Sequence, residues 1–421
     1  MTILGGEIIF TGRTRELEKM EALYQGDRFE CIILYGRRRV GKTTLMNEFI
    51  RNKSAIYYMA VEGTRKENLA GLSRTVLNSR KEGSGSEAEF PDFESLLKYI
   101  DELARSGKRQ ILAIDEFPYL AASYPTISSL LQRHIDQCWK DSRLYLILCG
   151  SSMSFMEKQV LGYKNPLYGR RTAQFKLHLF TFFEATPMLK SFSAEEKAVL
   201  YGGTGGIPEY LSRIHPGTDM DTAIVSLFFE ESGRLFEEPS NLLKQELREP
   251  ASYHSILTAV AGGASRMNEI ATKTGLETGG CSNQLASLIA LEIIKKERPI
   301  TESESSRRTL YRLADSMFLF WYRFVRPNIS AVSAGAGEMV YRHIVKPQLN
   351  DFMGTVFETI CRQYLYLPQI YRRLPFPLRN AGRWRGNNPE KRRQKDAVQY
   401  RAAHSHLQLI SFEEMAKISI A

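Results

Sequence analysis

Long hydrophobic runs are missing from this sequence: no stretch approaches the roughly eighteen apolar residues that a transmembrane helix needs. Cysteine is sparse, with five in 421 residues at positions 31, 138, 149, 281 and 361, and none stands in a C-x-x-C pair. That spacing excludes a secreted disulfide framework, and with seven scattered histidines it excludes a structural zinc pattern. The opening MTILGGE has neither the basic block nor the apolar block of a signal peptide. No internal repeat is visible. These absences point to a soluble, cytoplasmic protein with no transmembrane segment.

What is present is the composition of a globular chain, 43% apolar and 25% charged, long enough for two or three domains. The net charge of +10 is unevenly spread. Residues 371–401 hold eight arginines and two lysines against Glu390 and Asp396, a local balance of +8. Two readings fit such a block: attraction to a phosphate backbone such as duplex DNA, or a solvated tail.

The first third alternates short apolar runs with helical patterns. Residues 13–23 and 93–103 have helical spacing, and 31–35, 55–61, 111–114 and 144–149 read as strands. Short buried strands separated by helices predict a three-layer α/β domain with a parallel sheet. The segment 78–90 is polar and rich in Gly, Ser and Glu, and reads as a loop. Beyond residue 187 the pattern is helical over 192–211, interrupted by GGTGGIP at 202–208, and again over 219–248. Helices at 254–260, 267–274 and 280–291, followed by strands at 293–300 and 308–313, predict a winged helix. Residues 318–325 are aromatic-rich and 341–366 are largely helical.

Chemistry concentrates at Gly36-Arg37-Arg38-Arg39-Val40-Gly41-Lys42-Thr43, a G-x-x-x-x-G-K-[ST] pattern between a strand and a helix. In that setting successive backbone N–H groups and a helix N-terminus hold the phosphates of ATP. Lys42 reaches the β- and γ-phosphates, the Thr43 hydroxyl is positioned for Mg2+, and Thr44 follows in the same turn. The three arginines make the loop unusually basic. A second pattern, Ile111-Leu112-Ala113-Ile114-Asp115-Glu116, buries a strand and delivers two acids at its C-terminal end. Asp115 is expected to hold magnesium through water, and Glu116 to polarise the attacking water or to cap the next helix. Ser151, after the strand at 144–149, is read either as a γ-phosphate sensor or as an ordinary turn residue. Arg170 and Arg171 are read as arginine fingers acting in trans, which requires a homo-oligomer, or as surface ion pairs.

With GRRRVGKTTL at 36–45, ILAIDEFPYL at 111–120, LILCGSSMSFM at 146–156, PLYGRRTAQF at 166–175, GGIPEYL at 205–211 and GRW at 382–384, the chain resembles prokaryotic, especially archaeal, AAA+-like (STAND-like) P-loop ATPases with a C-terminal DUF234 domain. The resemblance implies an ATPase core at 1–186, a helical lid at 187–250, a winged helix at 251–325 and a partial nuclease-like α/β domain at 326–421. In that last domain Glu358 matches a helical glutamate and Asp396 a core-strand aspartate of the PD-(D/E)xK nuclease pattern. The continuing E-x-K strand is absent, since 401–421 reads RAAHSHLQLISFEEMAKISIA. A truncation or frame change near residue 390 is the expectation that accounts for this.

Three functions follow in order: an ATP hydrolase moving a DNA- or protein-binding module, a slow nucleotide-gated regulator or adaptor, and last an ATP-dependent nuclease. The expected recognition helix, GCSNQLASLIAL at 280–291, has no lysine or arginine. Lys295, Lys296, Arg298, Arg307 and Arg308 surround the expected wing instead. DNA contact is therefore expected through the backbone, or the module binds a protein partner.

Overall fold

The apolar run after residue 29 becomes strand β1 (Glu30–Gly36), every residue of which is buried. Four more strands join it: β2 (Ala55–Met59), β3 (Gln110–Asp115), β4 (Leu144–Gly150) and β5 (Ala173–Leu177), all parallel, in the order β2-β3-β4-β1-β5. The computed structural model describes residues 2–4, 7–79, 89–106, 109–298, 309–374, 377–383, 398–402 and 407–410. Among them no helix is long and apolar enough to cross a membrane.

Strand alternation sends side chains into two apolar layers. Cys31, Ile33, Leu112, Ile114, Leu146 and Leu148 pack on one face with Leu72, Leu96, Ile100, Phe117 and Leu131, which come from helices α3 (Arg65–Asn78), α4 (Phe93–Arg105), α5 (Phe117–Ser123) and α6 (Ile127–Gln137). Ile32, Leu34, Ile111, Ala113 and Ile147 pack on the other face with Met20 of α1 (Thr14–Gln25) and Leu45, Met46 and Phe49 of α2 (Lys42–Ile50). Each fully buried Leu, Ile or Phe stabilises the sheet by about 1.5–3 kcal/mol. Helix starts are set by side chains: Thr64 and Glu67 form a capping box on α3, and Asp92 accepts the Ser95 N–H on α4.

Helices α3, α5 and α6 and the strand β5 go beyond what the sequence pattern predicts, and one expected helical stretch is two helices. The edge strand β5 carries only Phe175 and Leu177 inward, too short an alternation to stand out. Residues 219–248 form two helices, α8 (Met220–Phe228) and α9 (Glu238–Glu246), not one. Between them the chain turns through Gly233, whose N–H bonds the Glu230 carbonyl.

By internal contacts the chain divides into two units, Met1–Leu179 and Phe180–Ala421. The second unit opens on a single helical turn, Phe182–Ala185, capped by Thr181 and Glu184, and continues into helix α7 (Ala194–Thr204), capped by Ser193 and Glu196. After α8 and α9 come α10 (Pro250–Ala261), α11 (Met267–Thr274), α12 (Thr278–Ala290) and an antiparallel hairpin, β6 (Ile294–Glu297) with β7 (Leu310–Leu313). The aromatic segment forms this unit's centre: Phe320 lies 4.7 Å from Phe228 and 5.3 Å from Phe352, centroid to centroid, and the Trp321 indole donates to the Phe236 carbonyl at 2.7 Å. Phe352 belongs to the long helix α13 (Leu349–Leu365), beyond which Leu378–Arg383, Val398–Ala402 and Leu407–Ile410 form a small antiparallel sheet.

One half-buried histidine, His254, gives this unit a pH response. His254 Nδ1 meets the Tyr322 hydroxyl at 2.6 Å and the Arg326 guanidinium at 3.3 Å. Burial first, then the charges of Arg326 and Lys244, push its pKa down to about 4. Between pH 6.5 and 4 the unfolded chain holds a proton that the folded chain refuses, so acidification through that window removes stability. The melting temperature is expected to fall between pH 7 and 5, and His254→Asn is expected to flatten part of that fall. An unchanged pH profile in the variant contradicts this.

Candidate nucleotide site

Backbone geometry builds the cradle. The loop from Gly36 to Gly41 joins β1 to α2, and Arg39 and Gly41 both take left-handed φ angles, 69° and 90°. Such turns curl successive N–H groups toward one concavity. A Cβ at Gly36 would lie 2.4 Å from the Leu177 carbonyl oxygen on β5, so only glycine fits there. Lys42 is buried at the first turn of α2, and its ammonium donates to the Gly36 and Arg37 carbonyls at 3.0 and 2.9 Å. Burial lowers the Lys42 pKa, opposed by neighbouring Cys149, Glu116 and Asp115. Arg37 is also buried, Arg38 donates to the Tyr119 hydroxyl at 3.2 Å, and Val40 packs into the apolar layer over α2. Thr44 is half-buried beside Thr43.

Strand order brings the acids to this loop. β4 lies between β1 and β3, so the ends of these three strands are neighbours. The buried Asp115 carboxylate accepts from Thr43 Oγ1 at 2.7 Å and from the Tyr57 hydroxyl at 3.1 Å, both on Oδ2, and from the Glu116 N–H at 2.9 Å on Oδ1. A hydroxyl touching a carboxylate oxygen is the hard-oxygen pair that suits Mg2+. Burial, then Asp115, raises the Tyr57 pKa. Glu116 takes a left-handed φ of 50°, and its Oε2 accepts from the Ser151 N–H at 3.2 Å and the Ser151 hydroxyl at 2.9 Å. Residues 36–44, Asp115, Glu116 and Ser151 thus gather at one sheet edge.

Arg170 and Arg171 lie elsewhere. They precede Ala173, which pairs with Ile32, four residues and about 13 Å before Gly36 along β1. Arg170 grips Asp136 with both ends of its fork, at 2.9 and 2.7 Å, and the Arg171 guanidinium sits over the Tyr168 ring at 5.6 Å. Neither belongs to the phosphate loop of its own subunit. In the second unit Glu358 on α13 pairs with Arg362, which also meets Glu297 of β6 at 3.4 Å. Asp396, Arg307, Arg308, Arg385, Lys391, Arg392, Arg393 and Lys395 lie outside the described residues.

The sequence reading passed over Tyr57 and Arg13. Tyr57 owes its contact to strand pairing, β2 running beside the acidic strand with Met59 opposite Asp115, which no local pattern marks. Arg13, whose guanidinium bonds the Val40 carbonyl, has no local signal. Gly36→Ala is expected to cost about 1–3 kcal/mol of stability, because the added methyl must move backbone rather than a side chain. Thermal or urea unfolding measures it, and a variant as stable as the parent contradicts the close approach.

Residues 10–214 match an ATPase domain found predominantly in Archaea, and residues 321–413 match DUF234, described as archaeal and bacterial proteins of unknown function. The uncharacterized protein MJECL04 of Methanocaldococcus jannaschii is 34% identical over 378 residues, 89% of this chain and 82% of that one. In fold the chain is similar to the Walker-type ATPase PABY2304 of Pyrococcus abyssi, with a TM-score of 0.57 at 20% identity over 75% of this chain and 96% of that one. It is similar also to the Aeropyrum pernix ORC2 protein in its ADPNP–ADP complexes, with a TM-score of 0.51 at 17% identity over 79% and 97%. A relative matched at this identity along most of both chains settles the family: the chain belongs to the archaeal-type P-loop ATPases that carry a DUF234 region behind their ATPase domain.

Proposed function

We propose that this chain binds ATP with Mg2+, hydrolyses it, and uses the nucleotide state to reposition its C-terminal module. The contact between the Thr43 hydroxyl and the Asp115 carboxylate supports this reading most directly, because it pairs a phosphate loop with an acid in one oxygen-rich site. Thr43 and Asp115 would hold Mg2+, which supplies charge neutralisation on the phosphate oxygens. Lys42 and the loop N–H groups stabilise the charge that builds on the β- and γ-phosphates. Glu116 accepts the proton of the attacking water, and Ser151 senses the γ-phosphate.

The Glu116–Ser151 pair also favours a second reading, a slow nucleotide-gated regulator. A carboxylate holding two donors from Ser151 must exchange them before it serves water, which predicts slow basal turnover. Arg170 or Arg171 would act in trans within a homo-oligomer, once Arg170 leaves Asp136.

The module is read as a helical lid at 187–250, a winged helix at 251–325 and the DUF234-like domain at 326–421, and its partner as duplex DNA or a protein. Helix α12 reads TGGCSNQLASLIA, without lysine or arginine, so DNA contact would be made to the phosphate backbone by basic residues around β6, among which Lys296 is exposed. Nuclease action is the weakest reading, because Glu358 is committed to Arg362.

Lys42→Ala is expected to remove most ATP binding, and Glu116→Gln to keep affinity while slowing hydrolysis by two orders of magnitude or so, ~10²-fold. Nucleotide titration and phosphate release measure both. A Glu116→Gln variant turning over at the parental rate would exclude Glu116 as the base.

A further inference from the structure

Arg13 is an unusual residue for its place. It precedes α1 with a left-handed φ of 56°, a conformation that arginine adopts only where surroundings enforce it, and its side chain is buried. The guanidinium is aimed by Glu16, whose Oε1 lies 3.6 Å from Nη1. Its Nη2 donates to the Val40 carbonyl at 3.1 Å and to the His178 carbonyl just beyond β5. One buried cation therefore ties the middle of the phosphate loop to the end of a core strand.

The Val40 carbonyl is the other half of the peptide unit that carries the Gly41 N–H. The peptide is trans, so the two groups point in opposite directions. A flip of this peptide would turn ψ of Val40 and φ of Gly41, and Gly41, without a Cβ, is free to take either sign of φ. With Val40 C=O held by Arg13, the Gly41 N–H is turned to the opposite side, into the concavity ahead of α2. With that carbonyl released, a flip would aim an oxygen at the phosphates. Lys42 does the corresponding work at the other end of the loop, where it holds the Gly36 and Arg37 carbonyls.

We propose that Arg13 is a positioning residue for nucleotide binding: by holding the Val40 carbonyl it fixes the Gly41 N–H as a phosphate donor. This rests on the assignment of residues 36–44 as the phosphate cradle. The group served is a di- or triphosphate, and the base and sugar play no part in the effect.

The probe is inorganic pyrophosphate, alongside MgADP, titrated calorimetrically into the full-length protein. In Arg13→Ala, both affinities are expected to fall about tenfold or more, the consequence of losing one charge-assisted donor to phosphate. At saturating MgATP the hydrolysis rate is expected to change far less than KM. A merely structural role would lower the melting temperature of the unliganded protein and leave the affinity of the folded molecules unchanged. If Arg13→Ala does not fold, Arg13→Lys carries the test: its ammonium ends one bond short of the Nη2 position, and a drop of at least threefold in pyrophosphate affinity is expected. Wild-type pyrophosphate affinity in a folded variant overturns the proposal. Lys42→Ala runs in parallel. Loss of binding there with none at Arg13 refutes the positioning role alone, whereas binding intact in both refutes the cradle itself.

Discussion

In a parallel sheet every strand delivers its following loop to the same edge, and the strand order decides which loops meet. Here β4 separates β1 from β3, so the loops after Gly36, Asp115 and Gly150 converge. The phosphate loop, the acid pair and Ser151 owe their proximity to that order, although they are spread over more than a hundred residues of chain. The two apolar layers serve the same end. By burying β1, β3 and β4 on both faces they hold three strand ends in fixed register, so that Thr43 meets Asp115 and Ser151 meets Glu116 without support from a ligand.

The groups at this edge are arranged with a consistent polarity. Carbonyls of the phosphate loop are drawn off by cations, those of Gly36 and Arg37 by Lys42 and that of Val40 by Arg13. With those three carbonyls engaged, the helix N-terminus that follows offers its N–H donors to an anion. The acids are likewise occupied by protein donors, Asp115 by Thr43, Tyr57 and its neighbour's N–H, Glu116 by Ser151.

How much of this was legible in the sequence depended on distance along the chain. The phosphate loop and the acid strand are contiguous patterns, and helices α1, α2 and α4 and four of the five core strands follow from local apolar spacing, whereas α3, α5 and α6 do not. The strand β5 escaped notice because an edge strand of five residues with two inward side chains has little periodicity to offer. Arg13 and Tyr57 act on residues 27 and 58 positions away, and nothing near either one in the sequence marks the partner. Arg170 shows the reverse: its motif stands out, but the chain has already crossed back over the sheet before reaching it, and it binds Asp136. In the second unit the resemblance matches Glu358 to a helical glutamate of the nuclease pattern, and in the folded chain Glu358 pairs with Arg362, which also meets Glu297 of β6.

The contact on which the functional account stands is the one between Thr43 and Asp115, and a double-mutant cycle on that pair tests it. MgATP affinity is measured for the parent, Thr43→Val, Asp115→Asn and the double variant, each with magnesium and with chelator. If the two residues serve one metal-dependent site, magnesium tightens ATP binding in the parent, each single change abolishes that gain, and the double variant loses no more than the worse single one. Additive losses, or a parent whose ATP affinity ignores magnesium, would contradict a shared Mg-nucleotide centre.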